Sequence, residues 1–386
     1  MEPDRVLVRY GELSTKTRSV RQDMLELLQH RIHERLHFDE LPVSDVRWIP
    51  GRVVIETAKA TAVAASVAEL PGVVSTSPAV RTAPTLAAIG AAADTIAVGG
   101  SFGVDANRAG DHPFTSEDIG REIGARIQDR TDAEVDLTHP ETWVEIDVRD
   151  DRAFLFTDRR SGPDGLPVGT QEPVGALISG GVDSSVAAHA MLTRGCDIVP
   201  IYFYNEPVAA PDHLARFEAV IKQLRRFHPG KQWHYYRVDM GPVNEQLLSV
   251  EGGRMVLHRL LMFRTASQIA IEDDLAGLMT GEAIGQKSSQ TTANLKHSHA
   301  AASVPVYRPL ATVPKSTIVD RARQIGTFEP ATIESACRSL APADPSPELT
   351  ATRLEVIKDR IGFESLVTET SDRITQVRLE SPTASS

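Results

Sequence analysis

The chain has 386 residues, of which 41% are hydrophobic, and its formal net charge is −11. This length predicts two or three domains, and the composition is sufficient for real cores. The acidic balance excludes broad, non-specific binding of nucleic acid through overall charge, but it leaves room for a local basic face. With two cysteines, a disulfide framework and a zinc-ribbon or iron–sulfur site formed within the chain are also excluded.

The sequence predicts neither a membrane span nor a secretion signal. A run of about 18 apolar residues, as a membrane helix requires, does not occur. The N-terminal segment MEPDRVLVRYGELS carries charges and lacks the apolar core of a signal peptide. We therefore expect a cytoplasmic protein.

Residues 1–166 predict two small α+β units. In residues 1–58 we expect a strand, a helix with leucines at helical spacing, and a hairpin that turns around Gly51. In residues 59–166 we expect helices, a strand and a hairpin that turns at Asp150-Asp151. Thr115 and Asp118 have the spacing of a capping box at the start of one of these helices.

A Gly- and Pro-rich segment at 161–170 predicts a linker to a different architecture. Beyond it, the patterns predict strands at 174–178, 198–203, 233–238 and 277–280, with helices between them. This alternation indicates a doubly wound parallel sheet, which binds its ligands at the carboxyl ends of its strands. We place this domain at 167–372 and expect a flexible polar tail at 373–386.

The segment SGGVDSS, Ser179–Ser185, joins a short apolar strand to an apolar helical stripe. Its two glycines let the backbone turn tightly and approach a ligand, and the amides at a helix N-terminus attract an anion. Ser179, Ser184 and Ser185 can add hydroxyl donors. The segment therefore favours phosphate binding, and the alternative is an ordinary strand–helix turn that Asp183 caps.

The pattern S-G-G-x-D-S resembles the PP-loop of the N-type ATP pyrophosphatases. Further segments, in order, resemble the tRNA 4-thiouridine synthetase (tRNA uracil 4-sulfurtransferase) family, of the type without a rhodanese domain. These segments are VRYGELSTK, HPFTSEDIGREIG, GLPVGT, TGEAIGQKSSQTTANL, RPLATVPKSTIVDRARQIGT and ACRSLAPADPSP. The resemblance implies an α/β protein with an N-terminal ferredoxin-like domain at 1–58, a THUMP RNA-binding domain at 59–166 and a PP-loop ATP pyrophosphatase domain at 167–372.

The resemblance implies a transferase that uses ATP and Mg²⁺ and acts on tRNA. Such an enzyme adenylates the carbonyl oxygen of uridine at position 8, and sulfur then displaces the activated oxygen to give 4-thiouridine. The sulfur would come from a cysteine desulfurase, from sulfide or from another persulfide carrier. The resemblance also allows a homodimer and a role in sulfur supply for thiamine thiazole synthesis.

The resemblance also assigns roles to individual residues. The residues expected to line the nucleotide pocket are Ser179, Gly180, Gly181, Asp183, Ser184, Phe203, Gly281, Glu282 and Gln286. Asp183 would meet magnesium through the phosphates, and Lys315 would steady phosphate charge in the transition state. Cys337 would carry the sulfur, whereas Cys196 is expected to be plain packing. Without the resemblance, Lys315 would be interpreted as a solvated lysine. The alternative for the segment around Gly281 is a simple turn, but its place at the end of a strand of an open sheet favours nucleotide contact.

A uridine inside folded RNA must be recognised through the shape of that RNA, and the first two units supply the expected binding surface. The expected RNA contacts are Arg9, Lys16, Arg18, Arg21, Arg108, His112, Arg121 and Arg126. Taken singly, each of these side chains is equally compatible with simple solvation.

Two other functions stay open at this point. One is a different PP-loop adenylating ligase that acts on a small molecule, and it would not need the first 166 residues for turnover. The other is an RNA-binding THUMP protein with an inactive ATPase domain, and it would not bind ATP.

Overall fold

The structure of this chain is a computed structural model, which describes residues 2–205, 212–250, 253–287, 290–332 and 350–380. The chain divides into two compact units, Met1–Pro167 and Val168–Ser386. Among the described helices, none is long and apolar enough to cross a membrane.

The strands of the first unit form one sheet. The strands are β1 (Arg5–Arg9), β2 (Asp45–Ile49), β3 (Arg52–Glu56), β4 (Ser75–Thr82), β5 (Ser101–Arg108), β6 (Glu134–Val135), β7 (Thr142–Arg149), β8 (Arg152–Phe156) and β9 (Arg160–Ser161). The helices are α1 (Arg18–Phe38), α2 (Ala60–Val67), α3 (Leu86–Ala93) and α4 (Ser116–Arg130). The strand order is β2-β3-β1-β4-β8-β7-β5-β6, and β9 pairs with β4.

The first half of this sheet has the ferredoxin-like order β1–α1–β2–β3–α2–β4. Apolar residues alternate along its strands, so that Val6 and Val8 of β1 face the core beneath α1 and α2 while Leu7 faces the opposite side. Helix α2, which the sequence analysis assigned to the unit at 59–166, packs on β1 and β4 and contributes Val63 and Val67 to the same core. The ferredoxin-like part therefore extends beyond residue 58.

In the second half of the sheet, α3 and α4 cover β5, β7 and β8 with a separate apolar core. The predicted capping box is present, because Thr115 Oγ1 accepts a hydrogen bond from Asp118 N at 3.1 Å and Asp118 Oδ2 accepts one from Thr115 N at 2.9 Å. The predicted hairpin is also present as β7 and β8, which pair antiparallel on either side of Asp150-Asp151.

The second unit is a six-stranded sheet with helices on both faces. Its strands are β10 (Leu166–Leu177), β11 (Arg194–Tyr204), β12 (His234–Asp239), β13 (Leu278–Thr280), β14 (Val306–Tyr307) and β15 (Ile374–Arg378). Its helices are α5 (Val182–Thr193), α6 (Asp212–Leu224), α7 (Gly241–Leu248), α8 (Arg254–Glu272), α9 (Thr292–Ala301), α10 (Lys315–Gln324), α11 (Phe328–Ala331), α12 (Ala351–Ile361) and α13 (Phe363–Ser371). The strand order is β14-β13-β10-β11-β12-β15.

This sheet confirms the predicted doubly wound architecture. One core lies between the sheet and α5, α6 and α10, and a second core lies on the other face, against α7, α8 and α13. The parallel pairs include β10 with β13 and β11 with β12. The carboxyl ends of these strands therefore meet at one edge of the sheet.

Two predictions about the borders of this unit were wrong. The linker expected at 161–170 is largely strand, because β10 begins at Leu166. The tail expected to be flexible from 373 contains β15, which pairs antiparallel with β12 from Ile374 to Arg378. Ile374 and Val377 of β15 also pack against the two cores, so pairing and burial together hold this polar segment on the sheet.

Candidate functional site

The glycine loop lies where the sequence predicted it, between the end of β10 at Leu177 and the start of α5 at Val182. Gly180 has a φ of +76°, and a Cβ atom at this position would lie 2.8 Å from the backbone nitrogen of Phe217. Only glycine fits both the left-handed conformation and this close approach. The loop therefore presents its backbone, rather than side chains, at the helix N-terminus.

Two of the three loop hydroxyls, those of Ser179 and Ser184, form hydrogen bonds within the loop: Ser179 Oγ accepts from Gly181 N at 3.4 Å. Ser184 Oγ donates to the carbonyl oxygen of Gly181 at 3.0 Å and accepts from Ser179 N at 3.3 Å. Ser185 was also expected to offer a donor, but its side chain is fully buried. It donates to the carbonyl oxygen of Val182 at 2.8 Å and lies 3.0 Å from Thr327 Oγ1. Ser185 thus fastens α5 to the core and does not face the loop.

Asp183 and Lys315, which are far apart in sequence, form an ion pair with 2.5 Å between Nζ and Oδ1. Both residues lie in the first turn of a helix, Asp183 in α5 and Lys315 at the start of α10. A lysine at the positive end of a helix is unfavourable by itself. Two helix N-termini and a half-exposed ammonium group therefore converge on one point, where an anion would be stabilised.

Glu282, expected to line the nucleotide pocket, does line a hollow at this edge of the sheet, and it is also paired with two arginines. Its Oε1 lies 2.5 Å from Arg259 Nη1 of α8, and its Oε2 lies 2.8 Å from Arg308 Nε. The carboxylate is almost fully buried at 5% exposure. Burial lowers the pKa of Arg259, and Glu282 opposes that shift. Glu282 therefore positions two guanidinium groups at the edge of the sheet.

Two adjoining hollows open at this edge. The larger, of about 230 Å³, is lined by the loop and by charged and polar groups, including Asp183, Ser184, Arg259, Lys287 and Gln290. The smaller, of about 110 Å³, is lined by Ile178, Tyr202, Phe203, Asn205 and Met262, among others. Leu177, Ser179 and Met262 line both hollows, so the two lie side by side. A hollow lined by charged side chains beside one that contains aromatic and aliphatic side chains suits a nucleotide.

Gly281 lines the larger hollow, as expected, and its missing side chain has a second consequence. A Cβ atom on Gly281 would lie 2.6 Å from Ser184 N, so this glycine lets the end of β13 approach α5. Gln286 does not line the larger hollow, whereas Gln290 does, and its Oε1 accepts from Ala283 N at 3.4 Å. Phe203 lines the smaller hollow, as expected.

Sequence reasoning missed Arg259, Lys287 and Gln290. Lys287 and Gln290 belong to the quoted segment TGEAIGQKSSQTTANL, so their position there was a usable signal. Arg259 belongs to a long helix without a motif, and only the packing of α8 against β13 brings it to the hollow.

The donor set fits a magnesium ion that phosphates hold. Among the described residues, no group of three or more His, Cys, Asp or Glu side chains could form a metal site by itself. Asp183 supplies one carboxylate at the loop, and Mg²⁺ characteristically combines one or two carboxylates with phosphate oxygens. Asp183 would thus hold the ion only together with a bound triphosphate.

Comparison with known families agrees with this geometry. The family profile described as thiamine biosynthesis protein (ThiI) matches residues 169–364, the ThiI ferredoxin-like domain matches residues 5–77, and the THUMP domain matches residues 89–158. A protein named "Probable tRNA sulfurtransferase" from Halobacterium salinarum is 40% identical over 364 residues, which are 92% of each chain. The protein of the same name from Methanosarcina acetivorans is 34% identical and covers 95% of this chain and 92% of its own.

The chain belongs to the ThiI family.

Solved structures support the same assignment. A structure described as a 4-thiouridine synthetase–RNA complex with bound ATP has a TM-score of 0.83 and 27% identity, and the match covers 98% of this chain and 100% of that one. A Pyrococcus horikoshii protein, at 23% identity and a TM-score of 0.66, shares the fold over 84% of this chain and 99% of its own. The ferredoxin-like match to residue 77 agrees with the packing of α2 described above.

The cysteine that the family resemblance assigned to sulfur transfer, Cys337, lies outside the described residues, and so does Arg338. Cys196 is described: it packs against the core of the second unit, and burial raises the pKa of its thiol. This environment agrees with the expected packing role, because a raised pKa disfavours the reactive thiolate.

In this ThiI-family chain, the arginines and the other residues expected to contact RNA have different surroundings. Arg18 is exposed and Lys16 and Arg21 are partly exposed. Arg121 and Arg126 are exposed but paired with Asp118 and Asp94. Arg108 donates to the carbonyl oxygen of Gly110, and the His112 ring stacks on Phe114.

Arg9 is the exception, because it is buried at 7% exposure. Its Nη1 donates to Ser77 Oγ at 3.0 Å, and its guanidinium group lies over the Phe156 ring. Burial, together with the nearby guanidinium groups of Arg159 and Arg52, lowers the pKa of Arg9 to about 10. Arg9 therefore does not present its side chain to RNA. It is the buried member of a cluster of arginines.

That cluster, here called the arginine face, consists of Arg9, Arg52, Arg149 and Arg159 on the side of the sheet away from the helices. Asp147 lies 3.1 Å from Arg52 Nε and 2.8 Å from Arg149 Nη2, and Glu145 lies 3.7 Å from Arg159 Nη1. Four cations thus face two carboxylates, which leaves an excess of positive charge. Sequence reasoning missed all of these residues except Arg9.

A cleft of about 340 Å³ in the same unit brings arginines and aromatic rings together. Its lining includes Tyr10, Arg18, Arg21 and Trp48, and the Trp48 side chain is 48% exposed. Arginine and exposed aromatic groups are what single-stranded RNA binds. The structure thus brings two predicted residues, Arg18 and Arg21, to one cleft.

Proposed function

We propose that this chain is an ATP-dependent tRNA sulfurtransferase that converts uridine at position 8 of tRNA into 4-thiouridine. Family membership, together with the likeness to the ATP-bound 4-thiouridine synthetase–RNA complex, supports this activity. The observation that carries it is the double hollow at the edge of the sheet, where the glycine loop, Asp183 and Lys315 meet.

In this proposal ATP lies across both hollows. Its triphosphate occupies the larger hollow, where it meets the loop amides, Lys287 and the guanidinium group of Arg259. Negative phosphate oxygens then compete with Asp183 for the Lys315 ammonium group. With Lys315 turned to the phosphates, the Asp183 carboxylate would hold Mg²⁺, and the ion would supply positive charge against that of the phosphates.

Activation of uracil is the difficult step, because a carbonyl oxygen is a poor leaving group. The uracil O4 attacks the α-phosphorus of ATP, the bond to the β-phosphate breaks, and pyrophosphate leaves with its charge neutralised by Lys315. The adenylated oxygen then departs as AMP when sulfur attacks C4. Two easier steps thereby replace one difficult displacement.

Cys337 is the proposed sulfur carrier, as a persulfide that receives sulfane sulfur from a cysteine desulfurase or another persulfide donor, whereas sulfide, as the alternative donor, would attack C4 of the adenylated uracil directly. The terminal sulfur of the persulfide would attack C4 of the adenylated uracil, and the same persulfide would serve thiamine thiazole synthesis. This attack leaves a disulfide between Cys337 and the uracil sulfur. A first thiol would attack the Cys337 sulfur and release 4-thiouridine, and a second thiol would reduce the resulting mixed disulfide to the free Cys337 thiol. A homodimer is compatible with this scheme.

The first unit is the proposed tRNA-binding surface. The arginine face supplies positive charge for phosphates, and the cleft at Trp48 offers arginines beside an aromatic ring. A chain with a net charge of −11 repels RNA elsewhere, so such a local concentration of cations would set the orientation of the bound tRNA.

The test is thiolation by the purified chain with tRNA, ATP, Mg²⁺ and a sulfide source, followed through the absorbance of thiolated uridine. We expect 4-thiouridine only when ATP is present. AMP and pyrophosphate should each form in an amount equal to that of 4-thiouridine. Absence of product, or product that forms equally without ATP, would contradict the proposal. Binding of tRNA without any heat on ATP titration would instead favour an RNA-binding protein with an inactive ATPase domain.

A further inference from the structure

Beneath the smaller hollow lies a polar network that belongs neither to the glycine loop nor to the Glu282 ion pairs. It joins Asn205, directly after β11, to Asn244 of α7 and His258 of α8. Asn244 is fully buried and His258 is 7% exposed, whereas Asn205 lines the hollow. A buried polar network is costly unless its members are satisfied, so its position at a binding hollow requires an explanation.

The hydrogen bonds fix the orientation of the Asn205 amide. Asn205 Oδ1 accepts from Asn244 Nδ2 at 2.9 Å and lies 3.2 Å from His258 Nε2. Asn205 Nδ2 donates to the carbonyl oxygen of Phe203 at 3.0 Å. A flipped amide would face its oxygen towards the carbonyl oxygen of Phe203, which can only accept, so the observed orientation is the favoured one.

His258 is suited to hold this orientation as a neutral ring. Burial, and secondarily the neighbouring Arg259, lowers the pKa of His258 to about 4, so the ring is uncharged at neutral pH. Since Asn205 Oδ1 can only accept, the hydrogen of the neutral ring must be on Nε2. One donor from α8 and one from α7 thus fasten the same oxygen.

This arrangement leaves one hydrogen of Asn205 Nδ2 for a ligand. The amide nitrogen carries two hydrogens, and the described structure uses one of them at Phe203. Among the described residues, the lining of this hollow contains no Asp, Glu, Lys or Arg, and it includes Tyr202, Phe203 and Met262. A fixed donor beside aromatic and aliphatic side chains is a usual means by which a pocket orients its ligand.

We propose that Asn205 contacts the nucleoside of the bound nucleotide, donating to an acceptor on its base or ribose, and that Asn244 and His258 are its positioning residues. The inference rests on the proposed function, because it takes the bound molecule to be a nucleotide. The charged groups line the larger hollow, and the triphosphate belongs there. The nucleoside therefore occupies the smaller one, next to Asn205.

The experiment compares ATP with inorganic tripolyphosphate, which has the phosphates but no nucleoside, by calorimetric titration of the full chain. For Asn205→Ala, which removes the donor without adding a charge, we expect about tenfold weaker ATP binding and unchanged tripolyphosphate binding. Equal losses for both ligands, or no loss for either, would overturn the proposal, because both results describe a purely structural network.

A pair of variants at His258 tests the positioning role. His258→Gln keeps a donor for Asn205 Oδ1 and should retain ATP affinity within about twofold, whereas His258→Leu should weaken ATP binding about tenfold with tripolyphosphate binding unchanged. Equal ATP affinity in the two variants would remove His258 from the proposal. Thermal unfolding of each variant verifies that the titrated chain is folded.

The wild-type titration separates this inference from the proposed activity. ATP binding without thiolation would contradict the sulfurtransferase function and leave the assignment of Asn205 intact. If the wild type binds tripolyphosphate and ATP with the same affinity, the smaller hollow takes no nucleoside and the assignment of Asn205 fails.

Discussion

The nucleotide hollows and the arginine face concentrate positive charge in different ways. At the hollows, the loop from Ser179 to Ser184 is continuous in sequence, and two helix N-termini add to it. At the arginine face, the charges come from β1, β3, β7 and the segment after β8, and two carboxylates already neutralise part of them. A local loop can therefore be found by its pattern, whereas a surface built from several strands cannot.

The largest expected effect is at the Asp183–Lys315 pair. Asp183→Asn keeps the size of the side chain but removes its charge, and we expect thiolation to fall about 10²- to 10³-fold while tRNA affinity stays unchanged. The measurement is the rate of 4-thiouridine formation at saturating tRNA. Asp320→Asn, at an exposed position of the same helix as Lys315, is the matched control and should keep wild-type activity. Full activity of Asp183→Asn would show that the pair is only a surface ion pair.

The second prediction concerns Glu282. Glu282→Gln leaves Arg259 and Arg308 without their buried counter-charge, and we expect the free energy of unfolding to fall by about 3 kcal/mol. Denaturant titration measures this loss. Glu364→Gln breaks the pair with Arg264, in which the glutamate is 71% exposed, and should cost less than about 0.5 kcal/mol. If the free energy of unfolding falls by a similar amount in both variants, burial does not strengthen the dependence of the fold on the Glu282 ion pairs.

The third prediction uses pH to probe α5, the helix that follows the loop. Burial, and then the charge of Arg321, lowers the pKa of His189 to about 4 in the folded chain, from an ordinary value of 6.5. The stability linked to the neutral ring is therefore complete above pH 6.5 and is lost as pH falls towards 4, by about 2 kcal/mol at pH 5. His189→Leu should remove this part of the acid sensitivity. If the free energy of unfolding depends on pH in the same way in the variant and the wild type, the lowered pKa of His189 does not contribute to the acid sensitivity.

The smallest expected effect is on RNA binding at the arginine face. Arg159→Gln removes one cation of this face, and we expect about fivefold weaker tRNA binding. The slope of log affinity against log salt concentration should become less steep by about one, as the loss of one phosphate contact requires. Arg160→Gln removes the same charge at the neighbouring position, where the arginine pairs with Asp158 at 3.1 Å. Its effect should stay below about twofold. If the two variants weaken tRNA binding equally, the arginine face acts only through its net charge and not through a specific contact of Arg159.

Local patterns predicted much of the fold. The apolar spacing of α1 and α4, the Thr115–Asp118 capping box and the alternation of strands and helices after residue 174 all depend on residues within a few positions of one another. For that reason they could be found without a structure. The edge strand β15 escaped prediction, because its polar sequence becomes a strand only through pairing with β12.

By itself, the sequence determined the architecture of the sheet, the position of the glycine loop and the order of the family segments, since each is encoded in neighbouring residues. Only the tertiary structure decided that Glu282 binds two arginines, that Ser185 and Arg9 are buried, and that Asn205 meets Asn244 and His258. These contacts join residues that are distant in sequence. Their energies depend on separation and burial, and a one-dimensional pattern contains neither quantity.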